Sequence, residues 1–168
     1  CLDMRFFGSA IRLPHVQGAF RDVITVNAAQ CVPVSNKTSL AQAACAEPLA
    51  VCLHAVNRAG DLSGKRVLVT GAGPIGALCV AAAKQAGAAE IIVTDLQDYA
   101  LDVALQMGAD KAVNIARNAT DLAKYEEGKG QIDVCFECSA AAPAIGSAIR
   151  MPRPQGILVQ VGVAGDIP

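Results

Sequence analysis

The sequence predicts an α/β fold, a doubly wound parallel sheet with helices on both faces. Three observations predict it. From Lys65 onward, short apolar runs of strand length alternate with helical patterns. The first run, Val67-Leu68-Val69-Thr70, opens directly into Gly71-x-Gly73-x-x-Gly76. The next run, Ile91-Ile92-Val93-Thr94, ends on Asp95, at the spacing of roughly 20 residues that an acid after such a turn requires.

Residues 1 to about 38 stand apart from this pattern. They carry three of the four phenylalanines, Phe6, Phe7 and Phe20, with Gly8, Pro14 and Gly18 as turn signals. The weak alternation over 20–26 predicts a short strand, and 30–34 another. The segment reads as the remnant of a β-rich domain. Thr38 or Ser39 can cap a helix that begins at Leu40. Pro48 interrupts that helix. It resumes over 49–59, with Leu49, Cys52, Leu53 and Val56 on one face, and Gly60 stops it.

Strands are then expected at 66–70, 90–94, 112–115, 132–137 and 157–161. Helices are expected near 75–86, 97–107, 119–126 and 143–150. Gly87 and Gly108 close the first two of these, and Pro143 can open the last. The sheet is of the Rossmann type. Five strands are present where the usual dinucleotide sheet has six, so the last is expected past Pro168. The expected division is 1–40 for the β-rich piece, 41–59 for a connecting helical region and 60–168 for the α/β domain.

Each glycine of the turn has a physical task. Gly71 allows the tight turn after the strand. Gly73 removes the side chain where a pyrophosphate approaches. Gly76 lets the helix pack closely. Pro74 suits the first helical turn, where its missing N–H costs nothing. The free N–H groups there attract phosphate. Asp95 can accept hydrogen bonds from an adenosine ribose and repels a 2′-phosphate, which favours NAD over NADP. The bland alternative is a glycine turn that only packs.

Composition bounds the rest. The chain has 168 residues, 53% hydrophobic and 17% charged, which predicts a large core. A net charge of −1 offers no basic excess for nucleic acid or an anionic membrane. No apolar run reaches the roughly 20 residues that span a bilayer. Seven cysteines, several inside apolar patterns, suit reduced thiols in the cytoplasm better than a disulfide frame. A start at Cys1 rather than Met reads as an internal piece of a longer protein.

The run EPLAVCLHAV, followed after a short spacer by KRVLVTGAGPIG, resembles the zinc-dependent medium-chain dehydrogenases, in their polyol and sugar-acid branch. The opening CLDMRFFGSAIRLPHVQGAF is similar to the sugar-acid members more than to the sorbitol-oxidising ones. The resemblance implies a GroES-like catalytic domain interrupted by a dinucleotide domain. It implies NAD and Zn2+ as cofactors, a small polyol or sugar acid as substrate, and a homodimer or homotetramer. Zinc in such enzymes binds the substrate hydroxyl and stabilises its alkoxide.

Residue by residue, Gly71, Gly73, Pro74, Ile75 and Gly76 match the pyrophosphate turn, and Asp95 the ribose acid. Val161 and Gly162 match a segment that contacts the nicotinamide amide, and Ser139 follows the fourth strand at the cofactor edge. Glu47 matches the acid beside the catalytic zinc, as ligand or through water. Cys1 matches the last of four structural-zinc cysteines, orphaned here because one thiolate cannot build a tetrahedral site. His15 sits in a loop that lies near the substrate in such enzymes; the alternative is an ordinary surface loop. Tyr99 and Ala100 stand where related enzymes carry an Arg against adenine, and the Tyr99 ring can stack there instead.

Three further patterns read as structural. Cys135 and Cys138 have redox spacing, but residues three apart on a strand face opposite ways. Tyr125 and Lys129 mimic the catalytic pair of short-chain dehydrogenases by chance. His54, beside an apolar helix face, reads as a packed structural histidine. Two rivals to a zinc-assisted alcohol dehydrogenase remain. One is a nucleotide-binding module without catalysis. The other is a zinc-free quinone-type reductase, against which Glu47 argues.

Overall fold

The structure, a computed structural model, describes residues 6–9, 11 and 13–163. The chain divides into two compact units, 1–39 and 40–168.

In the first unit the only regular element among the described residues is a single 3-10 turn, Ala28–Gln30, capped where Asn27 Oδ1 accepts the Ala29 N–H at 2.9 Å. Neither expected strand forms. The 20–26 and 30–34 segments are extended or bent, and Phe20, Val23, Val32 and Val34 are exposed. An extended run becomes a strand only when its N–H and C=O groups find a ladder partner, and none pairs with them among the described residues.

The second unit opens with α1 (Leu40–Ala44) and α2 (Ala46–Ala59). The break falls at Cys45, three residues before Pro48. A continuous helix would need a Pro48 N–H for the Ala44 carbonyl and would drive the ring into it. Restarting at Ala46 puts Pro48 in a first turn, where no donor is needed. The buried stripe of α2 is Cys52, Ala55, Val56 and Ala59. Leu53, expected on that face, is exposed. Small residues let α2 lie close to its neighbour. Gly60 ends it with φ +76°.

The alternating part follows as β1 (Arg66–Thr70), α3 (Pro74–Gln85), β2 (Glu90–Asp95), α4 (Asp98–Gln106), β3 (Lys111–Asn114), β4 (Ile132–Glu137), α5 (Ala142–Arg150) and β5 (Pro152–Gln160). The strands are parallel in the order β3-β2-β1-β4-β5. Stepping outward from β1 in both directions puts helices on both faces. Val67, Val69, Ile91, Val93, Val134 and Phe136 share one core with α2, α3 and α4. Leu68, Ile92, Cys135 and Ala148 share the other. Both faces of β1 are therefore dry, as a near-continuous apolar run requires.

Two elements differ from expectation. The helix expected at 119–126 is 3-10 over Ala119–Tyr125, with a second short turn at Glu127–Lys129. Side chains three apart eclipse in that geometry, and the pair it buries, Leu122 and Tyr125, is spaced by three. β5 begins five residues before the expected 157, at Pro152. Among the described residues it is an edge strand, where proline is tolerated, and its register shifts against β4 between Ile132 and Val134.

Candidate functional site

All five strands end at one edge, and the expected cofactor residues follow those ends. At the end of β1, Gly71 has φ +87° and donates its N–H to Thr94 O at 2.8 Å. A Cβ on Gly71 would stand 2.9 Å from the backbone N of Ser139. A Cβ on Gly76 would stand 1.8 Å from Gly71 O. The third glycine thus packs the helix onto the turn itself. Gly73 is different: nothing lies within 4 Å of where its Cβ would be. The turn is closed on two sides and open on the third, the side a pyrophosphate needs.

Pro74 is the first residue of α3, after Gly73 as its cap. The first N–H groups of a helix have no intrahelical partner, so the opening at Gly73 faces free donors. Ile75 is partly buried, and its carbonyl accepts the Cys52 thiol at 3.3 Å. An open apolar groove of about 480 Å³ borders the turn, lined by Gly73, Pro74, Ala77, Tyr99, Val103 and Met107. Tyr99 is exposed in the first turn of α4.

Asp95, the last residue of β2, is held by backbone. Its Oδ2 accepts the Ala72 N–H at 2.7 Å, and its Oδ1 accepts those of Leu96 at 2.7 Å and Gln97 at 2.9 Å. The carboxylate therefore ties the glycine turn to the β2–α4 loop. Asn114 closes the same loop from β3, donating to Leu96 O at 3.0 Å and to Asp98 Oδ1 at 2.7 Å. The Arg117 guanidinium beside Asp98, with Asn114, holds the Asp98 carboxyl below its usual range.

A residue that sequence reasoning missed organises the other half. Glu137, at the end of β4, is fully buried. It accepts from Ser139 N at 3.0 Å, Ala140 N at 3.0 Å, Thr70 Oγ1 at 3.2 Å and Gln160 Nε2 at 2.6 Å, and from the Ser139 hydroxyl. Its backbone carbonyl accepts the N–H groups of Val161 and Gly162, each at 2.8 Å. A Cβ on Gly162 would stand 2.8 Å from Ala140 N. Five donors satisfy one buried carboxylate, which makes it affordable. The result draws Thr70, Ser139, Gln160, Val161 and Gly162 into one rim beside Gly71. The signal was an acid ending an apolar strand, where a charge is out of place unless partnered.

The metal residues fare otherwise. Glu47 is exposed in the first turn of α2. Among the described residues no three His, Cys, Asp or Glu side chains come together to hold a metal. The described residues by themselves therefore assemble no zinc site. Cys1 lies outside the described residues, and His15 is exposed in the first unit. His54 is exposed on α2, not packed. Tyr125 is buried and its hydroxyl donates to Glu90 Oε1 at 3.2 Å. Glu90 starts β2, so this pair sits at the edge opposite the glycine turn. Cys135 and Cys138 do face opposite ways: Cys135 is in the α5-side core, Cys138 against the α3-side core. Burial and the Glu137 charge push the Cys135 thiol up. Among the described residues no helix is long and apolar enough to cross a membrane.

A family model described as zinc-binding dehydrogenase matches residues 74–168. An L-idonate 5-dehydrogenase (NAD(P)(+)) of Escherichia coli is 46% identical over 98% of this chain and 48% of its own length. Human sorbitol dehydrogenase is 37% identical over 84% of this chain and 40% of its own. A crystal structure of the Escherichia coli L-idonate 5-dehydrogenase superposes with a TM-score of 0.95 at 43% identity, covering 100% of this chain and 48% of that one. The chain spans about half the length of the curated relatives it matches.

Proposed function

The chain belongs to the zinc-binding dehydrogenases, and from that premise we propose that it is the cofactor-binding part of an NAD-dependent enzyme that oxidises a secondary alcohol on a polyol or sugar acid. L-Idonate, oxidised to 5-ketogluconate, is the substrate we favour, from the likeness to the Escherichia coli enzyme of that name. Sorbitol or xylitol is the alternative, from the likeness to human sorbitol dehydrogenase.

The observation that carries the reading is the contrast within the glycine turn. Gly71 and Gly76 are closed by packing, while Gly73 is open. A turn that only packed would have no reason to leave that side bare. In this reading the α3 N-terminus and Gly73 hold the pyrophosphate. Asp95 takes a ribose hydroxyl with the one lone pair its three backbone bonds leave, on Oδ2. Tyr99 flanks the adenine. Ser139, Val161 and Gly162 orient the nicotinamide end, on a rim held rigid by Glu137. NAD, when bound, supplies the hydride acceptor. Glu47 remains our candidate beside the catalytic metal of the whole protein, with no metal step derived from this chain. His15 remains our candidate near the substrate, and a homodimer or homotetramer in the cytoplasm our expected state.

Calorimetric titration with NAD and with NADP, with circular dichroism alongside, tests the cofactor reading. Preferential NAD binding is the expected result. A folded chain that binds neither would overturn it. Assay of the whole protein on L-idonate, sorbitol and xylitol separates the substrates. A second reading is a nucleotide-binding module without catalysis. Cofactor binding by a whole protein inert on every polyol and sugar acid tried would select it.

A further inference from the structure

Three thiols converge behind the glycine turn. The thiol of Cys138, just past β4, points to Cys79 Sγ at 3.8 Å. Cys79 lies in the second turn of α3 and is fully buried. Cys52 of α2 borders Cys79 and is also fully buried; burial and Cys79 beside it push its thiol up to about 12. Cys138 is half-buried, so it is the member a small solute reaches first. The Cys52 thiol donates to Ile75 O of the turn; the Cys79 and Cys138 thiols meet each other and bond to neither the turn nor the Glu137 carboxylate.

We propose that Cys79 and Cys138 are an oxidative modification site: a hydroperoxide converts the pair into a disulfide that staples α3 to the loop after β4. The Cys138 sulfur, as thiolate, attacks one peroxide oxygen. The O–O bond breaks, and the departing hydroxide takes up a proton to leave as water. Cys138 is then a sulfenic acid. The Cys79 sulfur attacks it, the S–S bond forms, and hydroxide leaves with the Cys79 thiol proton as a second water. Two thiols lose two electrons, and hydrogen peroxide gains them. The sulfurs must close from 3.8 Å to roughly 2.05 Å.

Position gives the staple a consequence. Ser139, the next residue, packs against Gly71, and Gly71 against Gly76 of α3. A bond from Cys138 to α3 closes a small ring around the turn and fixes its width. On the dinucleotide reading above, oxidation then changes NAD affinity. This consequence rests on that reading; the disulfide itself does not.

The test treats the protein with hydrogen peroxide, blocks remaining thiols with iodoacetamide and digests it unreduced. Trypsin with a Glu-specific protease cuts after Glu137 and so separates Cys138 from Cys135. The expected product is one cross-linked peptide pair holding Cys79 and Cys138, released by dithiothreitol and absent in Cys138→Ser. In Cys79→Ala the expected product is a Cys138 sulfenic acid that dimedone traps. If Cys79→Ala does not fold, the half-buried Cys138→Ser variant carries the test. Free thiols at both positions after the exposed Cys31 and Cys45 have oxidised would overturn the proposal, as would a link from Cys79 to Cys52. NAD titration before and after oxidation reads the consequence separately. A shift absent in Cys138→Ser supports the coupling. A mapped disulfide with unchanged NAD affinity removes the coupling and leaves the site.

Discussion

Gln160 Nε2 donates to Glu137 Oε2 at 2.6 Å, joining the ends of β4 and β5 under the rim of the site. The same amide nitrogen donates to Gly162 O at 2.9 Å. One buried carboxylate thus sets the spacing of two strand ends and of the loops that follow them. Replacing Glu137 with Ala leaves its buried donors unmet at once. The expected loss is on the order of 3 kcal/mol. Glu137→Gln keeps the shape but sets an NH₂ against donors, and is expected to lose about half as much. Urea denaturation measures both. An alanine variant within about 0.5 kcal/mol of the parent, the range of an ordinary surface change, would deny the network its role.

The three glycines of the turn separate stability from binding. Gly76→Ala forces a Cβ to within 1.8 Å of Gly71 O, a clash that only backbone movement relieves. It is expected to destabilise the chain by roughly 2–4 kcal/mol. Gly73→Ala meets nothing within 4 Å, so its denaturation midpoint should stay near the parent's. Its Cβ fills the opening where a pyrophosphate would sit, and NAD affinity should fall at least about tenfold, the worth of 1.4 kcal/mol. Full NAD affinity in Gly73→Ala would move the cofactor away from this turn.

Asp95→Ala is expected to act twice. It removes the carboxylate that repels a 2′-phosphate, so the preference for NAD over NADP should shrink. It also frees the N–H groups of Ala72, Leu96 and Gln97, which should cost about 1–2 kcal/mol. Asp95→Asn keeps one acceptor oxygen and separates the two effects: most stability returns, while discrimination stays weak. Calorimetry with each cofactor and a urea titration read them. Unchanged affinities for both cofactors would take Asp95 out of the site.

The strands and the glycine turn were legible because their signals are local. A buried parallel strand is an unbroken apolar run, and a turn that needs φ > 0 needs glycine. Asp95 was legible as a spacing, but its bonds to the Ala72 turn were not, because they depend on how two loops meet. Glu137 looked like the end of a strand; its five donors come from three separate stretches of chain. The Cys79–Cys138 contact has the same character, since the residues lie on different elements. The 3-10 stretch around Tyr125 and the unpaired 20–34 region were misjudged for one reason. Their periodicity was real, but what it packs against, or lacks, is not written locally.

Two carboxylates make the sheet's opposite edge sensitive to acid. Asp133 Oδ2 accepts the Arg66 N–H at 2.8 Å and its Oδ1 the Arg153 guanidinium. Asp110 Oδ2 accepts the Ile91 N–H at 2.8 Å and its Oδ1 the Lys84 ammonium at 3.1 Å. Burial alone would raise both carboxyls, but the backbone N–H and the cation outweigh it and hold each below its usual range. With the folded value lower than the unfolded one, near 3.9, the unfolded chain takes up protons first as pH falls. Stability from these contacts is therefore complete above about pH 5 and is lost as pH drops through the unfolded and then the folded value. The urea midpoint should be flat from pH 7 to 5 and fall steadily below 4. Asp133→Asn should start lower at pH 7 and lose less on acidification, because it has one fewer proton to gain. If Asp133→Asn and the parent fall in parallel below pH 4, Asp133 is not one of the groups that titrate on unfolding.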